Sequence, residues 1–171
     1  MKVYPEAKVQ TLADCWPGQL VRSLEYGQKD RLGVVFDAKN GELRGIVTLT
    51  GEVPTFFVEN HPEDFNVLAY SGEVVWEIDQ TGPLETNARS IFDKIGIIVC
   101  DKLGWHLTVS LLQETGHPQS RMQLNLGTGV LDRYQERLQK VAIFGGWTVF
   151  LEERARPNAA RVPLIYFKIK E

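Results

Sequence analysis

The chain has 171 residues, 43% of them hydrophobic, and 19 Lys and Arg stand against 22 Asp and Glu for a formal net charge of -3. That length buries a core in one domain, or in two small ones closely fused, and the near balance of charge excludes a global field that would draw in a polyanion. No apolar run approaches the ~20 residues of a membrane-spanning helix, the first residues lack the apolar core of a signal peptide, and Cys15 and Cys100 have neither metal-ligand nor disulfide-framework spacing, so the expected setting is a reducing one, the cytoplasm, with no membrane.

Between Pro5 and Trp16 the apolar residues Val9, Leu12, Ala13 and Trp16 recur at i, i+3, i+4 and i+7, which predicts a short amphipathic helix ended by Pro17. Short β-rich runs follow: Leu20 to Glu25, Arg31 to Phe36, Leu43 to Thr50, Thr55 to Glu59, Phe65 to Tyr70 and Glu73 to Asp79. Turn residues separate them, and the pair Ser71 and Gly72 is short enough to predict a tight hairpin. Leu84, Ala88, Ile91 and Phe92 restore helical spacing over Thr81 to Lys94, with Pro83 near the start. Strands are predicted next over Ile95 to Cys100, Trp105 to Gln113 and Arg121 to Leu126, then a helix over Val130 to Val141, preceded by a turn at Gly127 to Gly129 with Thr128 or Asp132 as its cap. Ala142 to Phe144 and Trp147 to Glu152 flank Gly145 and Gly146, a second two-residue turn signal, and Leu164 to Lys170 forms the last strand.

Two stretches recur. Asp30 to Thr50 resembles Asp93 to Glu114 at an offset of 63 (93 minus 30), Asp30 meeting Asp93, Gly33 meeting Gly96 and Gly41 meeting Gly104. Strand parity requires 64 after the first strand, because a one-residue slip turns the buried face outward. Farther on, VLAYSGEVVW from Val67 resembles VAIFGGWTVF from Val141 at an offset of 74 (141 minus 67). Together they predict two similar halves, residues 1–80 and 81–171, inside one compact domain.

Chemistry is thinly signalled. Cys100 and His106 flank a hairpin turn at Lys102 to Gly104, where a thiolate beside an imidazole suits nucleophilic hydrolase or transferase chemistry. Thr108 and Ser110 extend His106 into a polar row, read as a solvated strand face that offers binding groups. Arg154, Arg156 and Arg161, with Lys168, Lys170, Tyr166 and Phe167 nearby, form the one basic and aromatic concentration, the pattern that holds single-stranded nucleic acid. Glu59, Glu63 and Asp64 around His61 read as a solvated loop. His61, His106 and His117 share no ligand spacing, and Gly127 and Gly129 lack the remainder of a phosphate-loop fingerprint, so neither metal nor cofactor is expected. Trp16, Trp76, Trp105 and Trp147 all read as inward-facing.

The predicted fold is mainly β (α+β), an antiparallel sheet or barrel of two similar halves with two or three short helices. The predicted function is a non-enzymatic cytoplasmic module that binds a protein partner or itself, as a homodimer. Its alternatives are a small hydrolase or transferase using Cys100 and His106, and single-stranded nucleic-acid binding through the C-terminal basic segment.

Overall fold

The computed structural model describes residues 6–24, 31–38, 43–80, 94–111, 121–133, 142–152 and 163–168. Of these, 65% lie in strands and 3% in helix. The strands are β1 (Ala7–Thr11), β2 (Leu20–Ser23), β3 (Leu32–Ala38), β4 (Arg44–Thr48), β5 (Thr55–Glu59), β6 (Asn66–Tyr70), β7 (Glu73–Ile78), β8 (Ile98–Asp101), β9 (Gly104–Leu111), β10 (Arg121–Asn125), β11 (Val130–Arg133), β12 (Ala142–Phe144), β13 (Gly146–Glu152) and β14 (Pro163–Lys168). A 3-10 turn, Leu12–Asp14, follows β1.

Six strands close a barrel in the order β3, β11, β10, β9, β5, β4 and back to β3. Two antiparallel meanders, β3–β4–β5 and β9–β10–β11, are joined by two parallel seams. One seam pairs Val130 and Leu131 with Asp37 and Ala38, and the other pairs Thr55 and Phe56 with Ser110 and Leu111. The period-2 alternation of each strand fills the interior with Val34, Phe36, Val47, Phe56, Leu107, Val109, Leu124 and Leu131, all buried. A three-stranded sheet, β14–β13–β7, lays Trp147, Val149, Ile165 and Phe167 into the same cluster. A second cluster lies on the opposite face of the first meander, where Val35 and Ile46 meet Val21, Phe65, Val67 and Ala69 under Leu12 and Cys15. Strand β3 is therefore buried on both faces, which explains its unbroken apolar run.

The pairing pattern recurs. Replacing β2 to β7 by β8 to β13 maps each strand pair onto another observed pair, with Leu20 standing as Ile98, Val35 as Thr108, Val47 as Leu124, Phe56 as Leu131 and Tyr70 as Phe144. Irregular backbone bonds follow the same rule. Gly18 N–H donates to Val35 O at 2.7 Å and Gly96 N–H to Thr108 O at 2.8 Å; Leu49 N–H reaches Leu32 O and Leu126 N–H reaches Trp105 O, both at 2.9 Å. The 67–76 and 141–150 resemblance falls on strands so related. The 30–50 and 93–114 resemblance falls on hairpins β3–β4 and β8–β9, which hold different places: β3 and β4 are both barrel strands, whereas β8 lies outside the ring.

Two expected helices are corrected. The helix between Pro5 and Trp16 is strand β1 and one 3-10 turn, because all five β1 residues pair with β6 and the ladder overrides the apolar spacing; Val9 is 63% exposed. The helix expected over Val130 to Val141 is strand β11 at 130–133, held by its ladder to β10 and the seam to β3, and its remainder, 134–141, lies outside the described residues. The expected helix over 81–94 falls outside the described residues, Lys94 apart, so the two or three short helices reduce to a single turn among those described. Ser71–Gly72 and Gly145–Gly146 are not hairpins either. Each carries the chain from one sheet to the other, and none of these three glycines has the positive φ of a two-residue hairpin turn.

Gly18 and Gly96 occupy matching positions with φ of 84° and 87°. A Cβ at Gly18 meets nothing within 4 Å, whereas one at Gly96 overlaps the Phe167 ring. Gly18→Ala should cost about 1–2 kcal/mol from left-handed strain alone. Gly96→Ala should cost a further ~1–3 kcal/mol from overpacking. Urea denaturation of both variants checks this, and equal losses would contradict the packing at Phe167.

Candidate functional site

The β8–β9 register sets Cys100 opposite Trp105 and Val99 opposite His106. Directly opposed residues share a face and neighbours along a strand alternate, so Cys100 and His106 project from opposite faces of the ladder. The nucleophilic pair is not assembled. Cys100 is a half-buried free thiol packed against the main core. His106 instead faces Asp101, with Nε2 3.5 Å from Oδ1, too long for a hydrogen bond. Thr108 and Ser110 are buried, and Thr108 Oγ1 has no hydrogen-bond partner; the row expected to be solvated is covered. Arg154, Arg156 and Arg161 lie outside the described residues. Tyr166 is 65% exposed, but Phe167 is buried and stacks on Trp147 at 5.0 Å, so it offers no platform to a base. His61, Glu63 and Asp64 place ligand atoms within 4.8 Å of one another in an exposed loop, as a solvated cluster does.

A cleft of about 240 Å³ lies elsewhere, lined by Trp16 to Gly18, Val34, Glu73, Val74, Trp76 and the stretch from Leu124 to Gly129. Three local devices shape it. Arg44 clamps the 3-10 turn: Nη1 donates to Ala13 O at 2.6 Å and Cys15 O at 2.7 Å, while Nε donates to Asp37 Oδ1 at 2.7 Å and Nη2 to Asp37 Oδ2 at 3.2 Å. Gln19, buried, accepts from Trp16 N–H at 3.1 Å and donates to Tyr70 O at 3.0 Å. On the far wall Asn125 Oδ1 accepts from Gly127 N–H and Thr128 N–H, making the Gly127–Gly129 run a turn into a strand where sequence predicts a helix cap. Trp16 is thereby presented on a fixed turn with its side chain 50% exposed.

The matching place in the second half is filled. Beside Gly96, the match of Gly18, Trp147 is wholly buried, donates from Nε1 to Gly96 O at 2.8 Å and stacks on Phe167. In the first half the space beside Gly18 is open: Glu73 opposes Glu152 whereas Trp147 opposes Ile78, so Glu73 projects from the other face of the β7–β13 ladder and does not fill it. Of the four tryptophans only Trp147 is buried; Trp76 is half-buried and tilts against Trp147 at 5.2 Å, and Trp105 is 37% exposed. Sequence reading missed the cleft because each lining residue has an ordinary structural reading alone. The recurrence at an offset of 74, which aligns the ends of the two halves, is the signal that could have located it.

Burial raises the Cys15 thiol above its ordinary pKa; the Gln10 hydrogen bond and Arg44 pull the other way, while Asp14 adds to the rise. The folded thiol therefore keeps its proton at a pH where the unfolded one has lost it. Its contribution to stability is complete below the unfolded value, about 8.5, and is lost as pH rises toward the folded value. Cys15→Ala should flatten the alkaline fall of stability relative to the native chain, measured by urea midpoints from about pH 7 to 10; parallel curves would contradict it. His106→Asn should leave the alkylation rate of Cys100 unchanged within about twofold, and a larger drop would mean that the two side chains meet.

The chain matches no protein-family model, no curated protein and no solved structure.

Proposed function

We propose that this protein is a non-catalytic binding module built on a duplicated β unit, and that a segment of a partner protein seats in the Trp16–Trp76 cleft. The observation that carries the reading is the break in the repeat: a position packed shut by Trp147 and Phe167 in the second half is an open, indole-walled cleft in the first. A half-exposed indole on a rigid turn offers contact area without the ordering cost of a mobile loop, the reason tryptophan dominates interface energetics. At about 240 Å³, the cleft is below the size that encloses a whole small-molecule ligand and suits one inserted side chain. Nucleophilic catalysis by Cys100 finds no support in side chains on opposite faces.

The duplication, with halves 1–80 and 81–171 in one domain, is supported by the matched registers and by a single apolar cluster that spans the barrel and the small sheet. Self-association is a second reading, favoured by edge strand β1, which pairs with β6 alone among the described strands and exposes Val9. A cytoplasmic setting accords with two free cysteines, one of them buried. No helix among the described residues is long and apolar enough to cross a membrane.

Selection of a random peptide display library on the native chain should enrich sequences that lose at least about tenfold in affinity for Trp16→Ala, a hot-spot loss of at least ~1.4 kcal/mol. Enriched peptides that bind Trp16→Ala equally would overturn the cleft as the docking site.

A further inference from the structure

We infer that the partner's segment binds as an extended strand along the outer edge of β7, with an aromatic side chain seated over Gly18 and an apolar one two residues before it; the inference rests on the cleft being the binding site. The second half of the chain supplies the template. There β14 lies along β13, with Phe167 opposite Trp147, Tyr166 opposite Thr148 and Ile165 opposite Val149. Phe167 and Ile165 are buried in the main core, and Tyr166 between them is exposed. The Phe167 ring fills the place against Gly96 where a Cβ would fall, whereas a Cβ at Gly18 meets nothing within 4 Å. What the first half lacks beside Gly18 is therefore a counterpart of Phe167.

The strand that would carry it has a place. Among the described strands β7 pairs with β13 alone, while β13 pairs with both β7 and β14. The ladder keeps its buried face when Val74 stands for Trp147 and Trp76 for Val149, an offset of 73 (147 minus 74) that also sets Val35 against Thr108 (108 minus 35). Both Val74 and Trp76 line the cleft. An antiparallel strand added to the outer edge of β7 in the register of β14 sets its aromatic residue opposite Val74 and an apolar one, two positions earlier, opposite Trp76, so both side chains enter the cleft. The residue between them opposes Val75 and faces away, as Tyr166 does. Val34, Leu124 and Leu126 add apolar wall, which disfavours a charged occupant, and the indoles of Trp16 and Trp76 offer faces and edges to a ring. Because Val74 is smaller than Trp147, the space admits Phe, Tyr or Trp. In such strand addition the backbone ladder supplies affinity and the two inward side chains supply specificity.

The test uses the full chain and a peptide with the sequence of β14, acetyl-Pro-Leu-Ile-Tyr-Phe-Lys-amide. Binding is followed by the indole N–H signals of Trp16 and Trp76 in NMR titrations. The peptide should shift both, and should shift that of Trp147, which already has β14 beside it, less. Replacing the peptide's Phe by Ala should weaken binding at least about tenfold, and replacing its outward Tyr by Ser less than about twofold. Alternate residues of a strand turn their N–H groups to the same edge. Of two further forms, one N-methylated at Ile and Phe and the other at Leu and Tyr, only one should therefore keep binding. If the Ala form binds as well as the parent, or the two N-methylated forms bind alike, the strand assignment is overturned while the cleft stands as a binding site. If Trp147 moves and Trp16 and Trp76 do not, the peptide has exchanged with β14 and the assignment is overturned. If no signal moves, the assignment is overturned too, and the display selection then decides whether the cleft binds anything.

Discussion

Everything in this structure hangs on the closure of one six-stranded ring by two short parallel seams. Each meander holds together through local antiparallel turns, but the ring exists only because β11 meets β3 and β5 meets β9. Both seams are two residue pairs long, and matching backbone bonds extend them, Asp37 N–H to Gly129 O at 3.1 Å and Ser110 N–H to Pro54 O at 3.3 Å. Short parallel contacts between strands far apart in sequence carry a large loop-closure cost. The apolar interior that closure encloses offsets it. Without closure Leu107, Val109, Leu124 and Leu131 would line one face of an open sheet, and the small β7–β13–β14 sheet would lose the surface against which Trp147 packs.

Within that ring the two halves share pairing and diverge in what they put on it. On the outer face of the first meander, Val35 and Ile46 form an apolar cluster sealed by Leu12 and Cys15. The matching residues in the second are Thr108 and Gln123, and Thr108 is wholly buried with an unpartnered hydroxyl. At the end of the barrel the contrast reverses, Trp147 filling the place beside Gly96 while the place beside Gly18 stays open. Arg44 links the two differences. By bonding the carbonyls of Ala13 and Cys15 it both lids the apolar cluster and fixes the turn that carries Trp16. A cleft assembled this way is rigid for reasons unrelated to any ligand, which is how a small barrel supports a binding site with little ordering cost.

Strands were legible because their signal is local. Thr55–Glu59 and Ala142–Phe144 coincide with the runs read from alternation and turn residues, and most other strands agree within a few residues. Partners were not legible, because hairpin grammar identifies a turn and says nothing about where the strands go afterwards. Ser71–Gly72 has hairpin composition and is a corner between sheets; Val9, Leu12 and Trp16 have helical spacing, yet a five-residue ladder to β6 sets the conformation of β1. The two similar hairpins at 30–50 and 93–114 resemble each other as hairpins while standing at different places in the ring. The cleft was hidden for a further reason. Four separate segments line it, and only comparison of the surroundings of Gly18 with those of Gly96, which Trp147 fills, marks it as open. Cys100 and His106 show the converse: nearness in sequence across a turn, with the period-2 rule sending them to opposite faces.

The most direct measurement is a crystal structure of Val74→Trp, which adds an indole to the cleft lining on the face of the β7–β13 ladder that Trp147 shares. If the cleft is the unfilled counterpart of the Trp147 site, the introduced indole should turn inward and occupy it, with its Nε1–H directed at Gly18 O as that of Trp147 is at Gly96 O, and Trp16 should become less exposed. An indole directed to solvent above an unchanged cleft, or a chain that no longer folds, would contradict the equivalence from which the binding site is argued.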